Sequence, residues 1–173
     1  MNLRSRLSQF ISRKTRSMKI KIIAVGKIKE KYLQAGIDEF LKRLTPYVSL
    51  EVIELAPIEI RDENLVEKIL DQEGEKILSH VKPSSFVITL EIDGKQFSSE
   101  DFAKKVENLT NEGVGEIVFV IGSSCGISKN VSNRANLKMS LSKMTFLHRF
   151  ARLILIEQIY RAFKIIKGET YHK

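Results

Sequence analysis

From Met18 onward, short apolar runs alternate with segments whose apolar residues recur at helical spacing, and this alternation leaves the chain few folds. Residues 19–25 alternate at first and then turn continuously apolar, as a strand buried on both faces does. Leu33, Ile37, Phe40, Leu41 and Leu44 follow at helical spacing, and Pro46 closes that helix. Residues 50–55 read as a second strand. Asp62 is placed to cap a helix running to about Val81. Residues 86–92 form a third strand, with Asp93-Gly94 as a turn. Ser98 or Ser99 caps a helix that turns Phe102, Val106 and Leu109 inward, and residues 116–121 are the most apolar strand. Strands separated by helices of about ten to twenty residues need crossover connections, so the predicted class is α/β with a mainly parallel sheet flanked by helices. Ligands in such sheets bind beyond the carboxyl ends of the strands. The loops after Val25, Ile92 and Ile121, and the short segment 138–142, are therefore where a site is expected.

The 173 residues, 43% of them hydrophobic, suffice for one core. No apolar run approaches the eighteen or so residues of a membrane helix. The single cysteine, Cys125, excludes a disulfide framework and a multi-cysteine zinc site, and it suits a reducing compartment. No metal, no membrane and a cytoplasmic location are expected. The net charge of +8 is unevenly spread: Arg4, Arg6, Arg13, Lys14 and Arg16 precede Met18 without an acid. Residues 1–17 are read as a basic extension, either an upstream start ahead of Met18 or a disordered arm. An organelle presequence is the minor alternative. Residues 18–173 form the domain. Their mild basic excess is compatible with nucleic acid without requiring it.

The C-terminal third holds the densest chemistry. Gly122-Ser123-Ser124-Cys125-Gly126 lets backbone N–H groups approach a ligand, although its spacing equally suits a plain strand-to-helix turn. Ser140 to His148 mixes hydroxyls, a lysine, a thioether and a ring, as the lining of a half-polar ligand would, or as a surface loop anchored by Met144 and Phe146 would. The helix from about His148 to Lys167 carries one apolar stripe through Leu155 and Ile159 and another through Ile156, Tyr160 and Phe163. Burial on two sides suggests a second copy of the chain as partner. Arg149, Arg152, Glu157 and Arg161 belong to its polar remainder, with Glu157 and Arg161 at i,i+4. Tyr171-His172-Lys173 could fray, or stack on a splayed base.

The runs Lys19 to Lys27, Ile88-Thr89-Leu90, Phe119 to Gly122, Ser140 to Phe146, Leu155-Ile156-Glu157-Gln158-Ile159-Tyr160-Arg161-Ala162-Phe163 and the Tyr171-His172-Lys173 ending resemble the bacterial ribosomal large-subunit pseudouridine methyltransferase H family over residues 18–173. That resemblance implies a SPOUT-type fold with a C-terminal trefoil knot, a homodimer, and S-adenosyl-L-methionine as cofactor. It also implies methylation of N3 of pseudouridine 1915 in helix 69 of 23S rRNA, with the assembled ribosome as the expected partner. Carried over by motif, the cofactor residues are Leu90, Gly122, Leu141, Ser142, Lys143, Met144, Thr145 and Phe146. The sequence departs from the family at two places. Ser123 stands where the family has glycine and a positive φ is expected, and Leu147 replaces a common proline ahead of His148. Retained but slower activity is the expectation.

Methyl transfer to N3 needs positioning and help in removing a weakly acidic proton. His148, Glu157 and His172 are the candidates for that proton, and for His148 a purely structural helix-end role weighs as much. Arg161 or Arg152 is expected to stabilise the developing oxyanion. Tyr171 and His172 are expected to shape the nucleotide pocket. Lys27, Lys29 and Lys31 form either a solvated run or an rRNA phosphate patch, the first slightly preferred. Two other classes stay in play: a catalytically idle rRNA-binding protein on the same fold, and a small domain for another nucleotide. The absence of phosphate-loop motifs counts against the latter.

Overall fold

The computed structural model describes residues 18–59 and 62–172; the extension 1–17 and Lys173 of the tail lie outside the described residues. Five strands, β1 (Lys19–Val25), β2 (Ser49–Leu55), β3 (Phe86–Gln96), β4 (Glu116–Ile121) and β5 (Leu137–Ser140), form one sheet in the order β2-β1-β4-β3-β5. Every pairing in it is parallel. The helices are α1 (Lys31–Leu44), α2 (Val66–Ser79), α3 (Ser99–Asn111), α4 (Lys129–Arg134) and α5 (His148–Ile166).

The two faces of the sheet separate by the two-residue period of a strand. Ile117, Phe119 and Ile121 of β4 point into the larger core, together with Ile20, Ile22 and Ala24 of β1 and side chains of α1, α3 and α5. Val118 and Val120 point the other way, into a smaller core shared with Ile77 of α2 and Val131 of α4. All six residues of β4 are buried, which explains why that strand reads as an unbroken apolar run.

Local signals set most element ends. Ser98 caps α3 by accepting from Asp101 N–H at 3.0 Å, and Ser128 caps α4 by accepting from Val131 N–H at 3.3 Å. Asp62 does not cap α2 directly. It accepts from Asn64 N–H at 2.9 Å and so starts a short 3-10 turn, Glu63–Leu65, ahead of the helix. The third strand runs past the expected turn. Its ladder to β5 breaks after Leu90 and resumes at Lys95, so Asp93-Gly94 sits in a bulge within the strand.

Helix α5 also departs from expectation. Leu155 and Ile159 of one stripe and Ile156, Tyr160 and Phe163 of the other are all buried within this one chain. The helix lies between α1 and α3 over the sheet, and both neighbours cover it. Its two-sided apolar pattern therefore needs no second copy.

At the amino end of the sheet, Glu116 is buried and accepts from Ser85 Oγ at 2.6 Å, with Lys21 and Lys82 each at 3.6 Å. Burial alone would raise its carboxyl pKa. The Ser85 hydrogen bond and the two ammonium groups outweigh that and hold it below the ordinary 4.5. A depressed folded-state value stabilises the fold fully above the unfolded value and loses that contribution as pH falls through the folded one. Glu116→Gln should thus be less stable than the parent at pH 7, and the gap should close as the pH drops below about 4.5. Urea midpoints of both proteins at neutral and acidic pH test this.

Candidate active site

At the carboxyl ends of β3, β4 and β5 the chain leaves a cavity of about 710 Å³, within the ~300–1,000 Å³ of small-molecule pockets. Three segments wall it: residues 90–93 in the bulge of β3, 121–127 from the end of β4 into the loop beyond, and residues between 139 and 148 from the end of β5 to the start of α5. Of the residues assigned to the cofactor, Leu90, Gly122, Leu141, Ser142, Met144, Thr145 and Phe146 all line it. Lys143 is exposed and is not part of the wall.

The loop after β4 is tight for a specific reason. A Cβ on Gly122 would meet the Gly126 carbonyl oxygen at 2.1 Å. Gly126 itself turns at φ 96°, whereas no residue other than glycine has a positive φ among the described residues. The expected penalty at Ser123 is therefore absent: the left-handed position falls on Gly126. The Ser123 hydroxyl instead receives Cys125 N–H at 3.4 Å. In the neighbouring loop, Ser142 accepts from Met144 N–H at 3.0 Å, and Ser140 donates to the Ser142 carbonyl at 2.9 Å.

His148 opens α5 and lines the cavity. Burial lowers its pKa below the ordinary 6.5, and the nearby Arg149 and Arg152 lower it further against a smaller opposing effect of Glu30. The ring is neutral at neutral pH and free to accept a proton. Arg149 pairs with Glu30.

Arg152, read as part of the polar remainder of α5 and as a candidate oxyanion stabiliser, is 1% exposed. It forms an ion pair with Glu54 at the end of β2 and donates to the Gly26 carbonyl at 2.8 Å, directly after β1. Held this way, it ties the helix to two strand ends and does not line the cavity. Lys27 and Lys29 are exposed on the adjoining β1–α1 connection, and Lys31 is exposed at the start of α1.

The remaining candidates gather at the other end of α5. Glu157 accepts from Arg161 at 2.6 Å and from the Tyr171 hydroxyl at 3.0 Å. The Arg161 guanidinium lies 4.6 Å from the Tyr171 ring centroid, and that ring meets Tyr160 edge-on at 4.9 Å. Burial, with the Glu157 acceptor adding to it, raises the Tyr171 pKa, so the phenol stays protonated. His172 donates from Nε2 to Glu100 at 2.8 Å while its Nδ1 lies 3.4 Å from Arg161. The tail is thus docked through Tyr171 and His172 rather than frayed. None of these residues lines the cavity. His148 and Arg161 stand thirteen residues apart on one helix, about 20 Å along its axis.

Sequence reasoning missed Glu91 and Asp93 on the cavity wall and Glu100 as the partner of His172. The loop after the third strand was flagged, but a bulge that turns acids toward a pocket leaves no periodic trace. Among the described residues no group of three or more His, Cys, Asp or Glu is placed to hold a metal ion.

Residues 18–172 match the family described as "Predicted SPOUT methyltransferase". The "Ribosomal RNA large subunit methyltransferase H" of Carboxydothermus hydrogenoformans is 52% identical over 160 residues, covering 90% of this chain and 100% of that protein. A relative from Methanococcus maripaludis is also 52% identical, over 164 residues, with the same shares covered. Among solved structures, the SpoU methyltransferase AviRb of Streptomyces viridochromogenes, in complex with the cofactor AdoMet, is similar at a TM-score of 0.45 and 9% identity, covering 88% of this chain and 60% of that one. With a family match across the whole domain and full-length relatives identical at half their positions, this chain belongs to the SPOUT methyltransferases, in the ribosomal RNA large subunit methyltransferase H family.

Proposed function

We propose that this protein methylates N3 of pseudouridine 1915 in helix 69 of 23S rRNA, using S-adenosyl-L-methionine held in the cavity at the strand ends. One observation carries the reading: seven of the eight residues that the family motif assigns to the cofactor converge on a single cavity of sufficient size. The cavity also fits the group chemically. It offers apolar walls from Leu90, Ile121 and Met139, hydroxyls from Ser140, Ser142 and Thr145, and a loop at Gly122 closed so tightly that only backbone fits. Bound there, the cofactor would supply an activated methyl group. This chain's residues then have to orient the base and receive the N3 proton. His148 lines the same cavity and is neutral at neutral pH, which makes it the best-placed acceptor. Arg161, presented by Glu157 and Tyr171, is the oxyanion stabiliser, and His172 borders the nucleotide. Arg152 is assigned a positioning role in place of a catalytic one, because its partners, Glu54 of β2 and the Gly26 carbonyl after β1, hold it off the cavity wall.

Two such clusters on one rigid helix cannot meet a single base. The reading therefore includes a homodimer in which the cavity of one subunit faces Arg161 and Tyr171 of its partner. Tyr32, Phe146, Leu147 and Phe150 are exposed large apolar residues, with Tyr32 and Phe150 rings 6.4 Å apart, and they supply a surface for such a seam. The family's trefoil knot and the rRNA phosphate patch at Lys27, Lys29 and Lys31 belong to the same reading. The idle-protein alternative loses its motive, since Ser123 is unstrained.

Calorimetric titration with S-adenosylmethionine should give saturable binding near one site per subunit, and Gly122→Ala should abolish it. A folded dimer that binds none would move the assignment to the idle rRNA-binding protein. In cells lacking the gene, 23S rRNA should lose the methylated pseudouridine, and an unchanged nucleotide would overturn the substrate. Gly122→Ala and Arg161→Ala should each be inactive alone. Mixed dimers of the two should recover about a quarter of the parent activity, because random pairing leaves one intact composite site in half of the dimers. A mixture that stays inactive would mean that each site is built from one chain.

A further inference from the structure

The cavity wall holds two carboxylates, Glu91 and Asp93, and no lysine or arginine, in a chain whose net charge is +8. Among the described residues, the other titratable groups that line it are Cys125 and His148, and His148 is neutral at neutral pH. The two acids are built into the wall. They lie where β3 leaves its ladder with β5, between Leu90 and Lys95. Gly94 presses that bulge against the β5 backbone so closely that a Cβ would come within 2.6 Å of Met139 C. Glu91 is fixed further: Thr89, fully buried, donates to Oε1 at 2.6 Å, and Ser132 of α4 donates to Oε2 at 3.1 Å. Asp93 stands exposed at the rim.

From this placement we infer that Glu91 and Asp93 make the cavity selective for a cationic sulfonium ligand over its neutral thioether product, so that methyl transfer itself weakens the hold on the spent cofactor. The inference rests on the reading of the cavity as the S-adenosylmethionine site. On transfer, the carbon–sulfur bond breaks with its electron pair left on sulfur, the N3–carbon bond forms from the nitrogen pair, and the N3 proton leaves to His148 or solvent. The ligand's charge falls by one while its shape loses a single methyl. Packing alone distinguishes the two weakly, whereas a unit charge held in a cavity lined by half-buried Glu91 and rim-exposed Asp93 shifts affinity by about tenfold. The same wall disfavours nucleoside polyphosphates, in keeping with the missing phosphate-loop motifs.

The test titrates the full-length protein with three probes: S-adenosylmethionine, S-adenosylhomocysteine, and sinefungin, which carries an amine in place of the methylated sulfur. Glu91→Gln retains an acceptor for Thr89 and a polar partner for Ser132, and Asp93→Asn changes an exposed rim residue, so each variant tests the charge with the fold kept. In the double variant the affinity for the two cationic probes should fall about tenfold, with S-adenosylhomocysteine changed less than twofold. Added salt should erode the parent's preference and leave the double variant's nearly flat. Equal losses for all three probes, or no loss for any, would overturn the charge-selection inference while leaving the cofactor reading intact. If the parent protein binds none of the three, the cofactor reading itself fails and this inference falls with it.

Discussion

The seating of α5 decides where the site is, and one buried guanidinium decides the seating. Apolar contacts through Leu155, Ile156 and Ile159 hold the helix in its groove between α1 and α3, but such contacts change slowly if a helix slides or turns. Arg152 does not tolerate that movement. Taken out of water, it requires the Glu54 carboxylate and the Gly26 carbonyl, and these belong to the ends of two adjacent strands. The Gly26 N–H bonds in turn to the Leu55 carbonyl at 2.8 Å, so the pairing of β1 with β2 continues to the point where Arg152 attaches. His148 lies one turn earlier on the same helical face, which brings it to the cavity edge. Arg152 Nε finds no partner, a residual cost that a purely apolar anchor would avoid. The return on that cost is a fixed register for His148.

Charge is organised against the average of the chain. Among the described residues, the lysines Lys27, Lys29 and Lys31 stand exposed outside the pocket, and Arg161 lies half-buried near the tail, paired with Glu157. The cavity is acidic. A single uniform field would help one ligand and hinder the other, because the proposed substrate is a polyanion and the proposed cofactor is cationic at sulfur. Separating the signs by a wall of apolar residues and hydroxyls lets both bind, and the screening length of about 8 Å at physiological salt keeps the two fields apart.

The sheet, its order of elements and the position of the site were legible because they depend on local patterns. β4 announces itself by five apolar residues in a row, Ile117 to Ile121, and Ser98 and Ser128 by the hydroxyl ahead of a helix. The cavity was legible as a place, since ligands of parallel sheets sit at the carboxyl ends of strands. Most of the failures involve partners distant in sequence. Arg152 looks like any charged residue on a helix until Glu54 and Gly26, about a hundred residues earlier, are brought to it. The second stripe of α5 looked unpartnered because periodicity counts apolar faces without showing that α1 and α3 stand on both sides. Ser123 looked strained because a glycine pattern shows which residues are small and not which one carries the positive φ. That residue is Gly126.

The length of α5 carries the last consequence. A helix is a rigid ruler, and about 20 Å between His148 and Arg161 cannot be shortened by side-chain rotation. Tyr171 and His172 do not fold back toward the cavity either: they dock at the far end, onto Tyr160, Glu157 and Glu100. On the proposed reading, a single chain therefore places His148 and the docked Arg161 too far apart to act on one base. The docking of the tail is extensive enough that bringing it to its own cavity would break the Glu157 and Glu100 hydrogen bonds and strip the Tyr160 ring of its partner. The proposed second copy would supply the missing cluster with these contacts kept, and the exposed Phe146, Leu147 and Phe150 offer it an apolar surface. The geometry that looks incomplete in one chain is the geometry a two-chain site requires.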